Sequence, residues 1–286
     1  MQRSGYVSDP AQVVEGGTGG VAGWIENVAR AGYVAKGAVY GIVGVITAGA
    51  VLFGEGRITG SRGALSQLQG ETFGQIVLGA IAIGLIGYVI WRFVQAIVDP
   101  EREGSDASGI VTRALMLASG LIYAGLAIYT FRLLFSSGGG GGSGSTQSWT
   151  AKLMSEPAGA VLVSLIGAAI FIYGGVQVYK AITAGFMKKM KTMEMNPEER
   201  KWSERISRLG LAARGVVFFV IGGFFFWAAI RHAPEEARGL EGALQTLGTQ
   251  PYGSWILGAV AIGLVCYGAY NWVESRWRQI GPHKPT

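Results

Sequence analysis

The chain has 286 residues, of which half are hydrophobic and only 15% charged, and its formal net charge is +6. A soluble domain carries about 25% charged residues, so this composition excludes an ordinary water-soluble domain, and its high apolar fraction excludes disorder. A single cysteine, Cys266, excludes a disulfide framework and a thiolate metal cluster.

The polar, Gly-rich start, a tail over 1–23, holds no apolar h-region in its first 20 residues, so no cleavable signal peptide is expected. Apolar segments of membrane length then follow near 33–53, 75–98, 114–135, 158–183, 211–231 and 254–274. About 20 apolar residues cross ~30 Å of hydrocarbon as a helix, and only helices or closed barrels satisfy every backbone group in lipid. The alternation of a barrel strand is missing from all six. The expected fold class is therefore all-α, a polytopic membrane protein of six transmembrane helices. The 47 glycines, many of them inside the apolar runs, suit closely packed membrane helices.

The spans repeat. Arg30, Ala35, Gly37 and Tyr40 set a frame that returns as Arg113, Ala118, Gly120 and Tyr123, and again as Arg208, Ala213, Gly215 and Phe218. The even spans share a second frame: Leu78 to Leu85 returns nearly letter for letter as Leu257 to Leu264, and Tyr88, Tyr173 and Tyr267 stand in register. Each unit is a helical hairpin with a short outer segment, Gly63-Ala64-Leu65 in one copy and Gly242-Ala243-Leu244 in another, whose Leu spacing marks a short amphipathic turn. Repeat 1 covers 24–100, repeat 2 covers 108–185 and repeat 3 covers 202–278, ahead of a tail over 279–286. An even number of spans per unit gives three hairpins in parallel orientation, either closed into a pseudo-threefold bundle or set in an open row. Two linkers stand out: a Gly/Ser run over 136–145, expected as flexible outer coil, and a basic stretch over 186–201.

This triplicated hairpin resembles the bacterial membrane family called domain of unknown function 1206, over nearly the whole chain from about Trp24 to Arg276. The resemblance implies three units per protein and a bacterial membrane location. It implies no activity. The middle copy departs most, with Ser119 where the others carry Lys36 and Arg214.

All but six of the 24 Lys and Arg fall on the side of the termini, the six being Arg57, Arg62, Arg132, Lys152, Arg231 and Arg238. By the positive-inside rule both termini are cytoplasmic, in a multi-pass protein of the bacterial inner (plasma) membrane. The same placement explains the basic charge without nucleic acid.

Candidate sites divide into two kinds. Arg30, Arg113 and Arg208 open the odd spans, and Lys36 and Arg214 lie one to two turns deeper. As a ring they suit anionic head groups, although interfacial snorkelling is the commoner employment of such residues. Lys188, Lys189 and Lys191 add a basic cluster against the membrane that suits anionic lipid, and the methionines around it suit an adaptable partner surface. Gly37, Gly41, Gly84, Gly120, Gly215 and Gly263 form small-residue faces for helix packing, or for a homo-oligomer.

Asp, Glu and His are missing from the centre of every span, which argues against an ion-coupled transporter. The two histidines, His232 and His283, are too few and too far apart for a metal site, and no catalytic or cofactor fingerprint occurs. No enzyme and no cofactor is expected. The expected function is that of a structural or accessory membrane protein binding lipid or a partner protein; the alternative is a channel or facilitator for a small solute along the pseudo-threefold axis.

Overall fold

A computed structural model describes residues 10–54, 58–101, 103–135 and 144–280, with side chains from residue 23 onward and, in the last segment, from residue 146. The chain is all-helical: α1 (Pro10–Phe53), α2 (Ser61–Leu68), α3 (Gly74–Ile97), α4 (Ala107–Phe135), α5 (Gly144–Met154), α6 (Gly159–Thr183), α7 (Pro197–Arg231), α8 (Leu240–Gly248) and α9 (Gly253–Trp277). Six of these, α1, α3, α4, α6, α7 and α9, are long and apolar enough to cross a membrane. The short α2, α5 and α8 follow the three odd spans and gather at one end of the bundle.

Two boundaries differ from the sequence reading. Most of the Gly/Ser run, 136–143, lies outside the described residues, as do the extreme tails, but Gly144 already opens α5. The basic linker is also shorter than 186–201. Asn196 caps α7 reciprocally with Glu199, and Pro197 follows at the first helical position, where its missing N–H costs nothing. The charged residues after it are therefore the first turns of a 35-residue helix.

The spans run round in the order α1, α3, α4, then α6, α7, α9, and α9 returns to pack on α1. Five of the six seams are formed; α4 and α6, the two spans of repeat 2, make no extended contact. The sequence explains the missing seam. In repeat 1 a Cβ on Gly32 would stand 2.5 Å from the Tyr88 backbone, and in repeat 3 one on Gly210 would stand 2.5 Å from that of Tyr267. The equivalent residue of repeat 2 is Leu115, and Ala169 replaces the glycines at 84 and 263. Both substitutions add bulk at the closest approach, so this hairpin stays open. The result is a six-helix ring with one lateral gap.

Candidate functional site

All six spans send a side chain into one cluster. The aromatic of each odd span packs on the even-span tyrosine of the repeat before it: Tyr40 on Tyr267 at 4.7 Å between ring centroids, Tyr123 on Tyr88 at 4.7 Å, and Phe218 on Tyr173 at 5.3 Å. The tilt is close to edge-to-face in the first two pairs, the arrangement that aromatic quadrupoles favour. The third frame position then sets the charge. Lys36 lies over the rings of Tyr88, Tyr123 and Tyr267 at 5.0, 5.8 and 5.2 Å. Arg214 lies over Phe218 and Tyr267 at 4.8 and 4.6 Å and donates to the Tyr267 hydroxyl. Both cations are buried, at 2% and 8% exposure. Lys36 makes no hydrogen bond or ion pair with a described residue, and Nε of Arg214 is buried without an acceptor. Repeat 2 contributes only Ser119 at this position.

A cavity of about 820 Å³ descends to the cluster. Tyr40, Tyr123, Tyr173, Arg214 and Phe218 line its floor, and α4 and α6 line its sides with Leu115, Ser119, Ile122, Ile166, Ala169 and Ile170. Its far mouth lies among Arg62, Thr146, Glu235, Arg238 and Glu241. Arg238 at that mouth stands over Phe224, ten residues and about 15 Å along α7 from Arg214, so the cavity is about that deep. Three of its side-wall residues also face outward through the gap: Leu115 is 39% exposed, Ile122 71% and Ile166 41%.

The opposite end is closed. Arg92 donates to the Tyr88 hydroxyl at 2.7 Å and to Gln95 at 2.9 Å, and Gln95 donates to Glu101 at 2.7 Å. Glu101 accepts from Arg278 and Lys189, both at 2.9 Å; Lys189 also pairs with Glu103, and Arg278 with Glu274. Burial works to raise the Glu101 carboxyl, but Arg278 and Lys189 outweigh it and hold it down at about 2. Backbone bonds knit the linker to the C-terminal segment: Lys191 donates to the Trp277 carbonyl at 2.8 Å and Gln279 to that of Lys189 at 3.0 Å. Phe186, Met187, Met190 and Met195 are buried around Tyr270 and Leu211.

The expected site residues take separate places. Arg30 pairs with Glu26 and donates to the carbonyls of Ser275 and Arg276, at the end of α9. Arg113 likewise donates to those of Ala96 and Ile97, at 2.8 and 3.1 Å, at the end of α3. Arg208 pairs with Glu204 at 2.8 Å. Two of the three thus serve the orphan carbonyls of a neighbouring helix end, and they do not converge. Lys36 and Arg214 turn inward instead of extending a surface patch. Lys189 is engaged by Glu101, Lys191 lies 3.8 Å from Glu194, and Lys188 is exposed. Three of the linker methionines are buried while Met193 is 92% exposed, so no continuous methionine surface forms.

Five of the six glycines face another helix of the chain, while a Cβ on Gly41 would meet nothing within 4 Å. A Cβ on Gly37 would stand 2.7 Å from the Gly268 carbonyl, and Gly41 is the neighbour of Gly268 on the same seam. Gly215 faces Gly174, Gly84 faces Ala35, Gly263 faces Ala213, and Gly120 faces Arg92. Beyond the cavity floor, the axis that the pore alternative required is occupied by rings and cations. Gln75 points outward, and Gln95, Gln177 and Asn271 are buried. The tyrosine cluster itself was missed in the sequence, although its signal was present as one aromatic in register on every span.

The model for Domain of Unknown Function (DUF1206) matches three times, at residues 31–99, 115–184 and 209–278. An uncharacterized protein of Bacillus subtilis (strain 168), YxxB, is 38% identical over 247 residues, covering 86% of this chain and 89% of the relative. No solved structure matches.

Proposed function

The chain belongs to the DUF1206 family, and we propose that it is a non-enzymatic membrane protein that binds an anionic group in the cavity between α4 and α6. The observation that carries this is Arg214 on the floor of the cavity, buried with a free Nε, and Lys36 buried in the same cluster over Tyr267, both surrounded by rings rather than carboxylates. A buried cation is costly without a counter-charge. The nearest carboxylates of the inner cluster, Glu101 and Glu274, are already committed to Arg278 and Lys189. A phosphate or carboxylate on Arg214 supplies the missing acceptors, and tyrosine hydroxyls can donate to it.

The non-enzymatic part rests on the lining. Glu235 and Glu241 lie at the mouth with Arg238, which stands about 15 Å along α7 from Arg214, too far to flank one bound group on its guanidinium as acid and base. A facilitator draws on the same cavity but requires both the ring cluster at its floor and the Glu101 cluster beyond it to open. Native mass spectrometry of gently extracted protein tests the binding reading. Wild type and a Lys188→Gln surface control retain an anionic ligand. Arg214→Gln loses charge-assisted hydrogen bonds of about 1.5–3 kcal/mol, which is roughly 10- to 100-fold in affinity. Equal retention by Arg214→Gln and wild type overturns the proposal.

A further inference from the structure

We propose that the anion is the headgroup of a phospholipid, and that it enters sideways from the bilayer through the open seam of repeat 2. This rests on the anion-site reading and adds the source of the ligand and its route.

Three observations point to the bilayer rather than to water. The first is the gap itself, whose edges carry Leu115, Ile122 and Ile166, each lining the cavity while facing outward from helices of membrane-spanning length. An apolar slot open to the side admits acyl chains at no hydration cost, whereas a water-soluble anion gains nothing there. The second is depth. Along α4, Ser119 lies about 9 Å beyond Arg113, and Arg214 stands at the same frame distance from Arg208. A headgroup that reaches the guanidinium is therefore only a short way below its own interface, with its chains level with Ile122 and Ile166. The third is the far mouth, where Arg62 and Arg238 stand with Glu235 and Glu241. That set is balanced in charge and offers no field to draw a free anion down about 15 Å of cavity.

Ser119 completes the picture. Arginine or lysine at this position, as in the other two repeats, would fill the space at the inner end of the slot, and the serine leaves room for the headgroup. The cavity volume of about 820 Å³ sits near the top of the ~300–1,000 Å³ typical of small-molecule sites. It encloses a headgroup with the start of its chains, and the remaining chain length lies out through the gap.

The test compares wild type, Arg214→Gln and the double variant Leu115→Trp/Ile166→Trp in phosphatidylcholine nanodiscs doped with phosphatidylglycerol. Lipid retained per protein after detergent exchange is quantified, and inorganic phosphate binding is measured by calorimetry on the same samples. Wild type retains phosphatidylglycerol over phosphatidylcholine. Arg214→Gln loses both phosphatidylglycerol and phosphate by about tenfold or more. The double tryptophan variant loses phosphatidylglycerol and keeps phosphate. If the tryptophan variant holds phosphatidylglycerol at the wild-type level, lateral entry is wrong while the anion site stands. If wild type binds phosphate but shows no preference for phosphatidylglycerol, the lipid is wrong and the anion site again stands. Unchanged Arg214→Gln sinks both. A benzophenone photo-crosslinker at Ile122 gives a phosphatidylglycerol adduct that falls in Arg214→Gln; an adduct formed equally by Arg214→Gln is bulk lipid at an exposed helix face and contradicts headgroup capture.

Discussion

Gly32 and Gly210 decide, one residue at a time, whether a hairpin of this protein closes. Each lets a tyrosine backbone come within a distance no Cβ tolerates, and Leu115 at the same place keeps α4 and α6 apart. Gly32→Leu should therefore open the seam between α1 and α3. Overpacking of this kind costs about 1–3 kcal/mol, and the thermal unfolding midpoint in detergent should fall accordingly; an unchanged midpoint would mean that the seam does not depend on that approach. Glu101 acts at the same scale through charge. Its carboxyl is held at about 2, below the ordinary value of 4.5, so its stabilisation is complete above pH 4.5 and fades as pH falls from there towards 2. Unfolding midpoints should be flat near neutrality and decline across that window. Glu101→Gln should flatten the decline while lowering the plateau.

The opening residues were legible in the sequence as departures of repeat 2 from the shared frame. Their meaning was not, because a frame does not say which glycine faces a backbone and which faces lipid. The same limit hid the roles of Arg30 and Arg113. A basic residue at a helix mouth reads as a surface charge, and only the fold shows that it serves the carbonyls of the next helix.

At the scale of elements, the basic linker is the part that changed most on folding. Its Lys and Met content reads as a membrane or partner surface, yet Phe186, Met187 and Met190 turn inward and the segment is clipped to the C-terminal end of α9. Glu101 is the pin of that clip. Glu101→Ala leaves Arg278 and Lys189 without their shared carboxylate, and breaking a buried pair in this way costs about 3–5 kcal/mol. Limited proteolysis should then cut within 186–195 well before the wild type is touched; equal resistance would show that the methionine packing holds the linker alone. The six apolar spans and the short helices α2 and α8 were readable from period and length. The first turns of α7 were not, because a run rich in Glu, Arg and Lys carries no apolar stripe, and helicity there rests on the Asn196 cap.

The whole molecule is a ring of three hairpins that is complete at five seams and open at the sixth. That arrangement places Arg214, with Lys36 buried in the same ring cluster, at the floor of a cavity that opens both at the bundle end and sideways through the gap. Parity of spans and the repeated frame foreshadow the ring, while the gap follows from which faces meet. Disulfide trapping in native membranes, in a Cys266→Ser background, tests the gap directly. Ala35→Cys/Gly84→Cys and Ala213→Cys/Gly263→Cys place thiols across the closed seams of repeats 1 and 3, within a small shift of the ~3.5–4.5 Å Cβ spacing a disulfide needs. Ala118→Cys/Ala169→Cys places them across the open one. Rapid crosslinking of the first two pairs with little or none of the third is the expected result. A third pair that crosslinks as fast as the others would show a closed ring, and with it no lateral cavity.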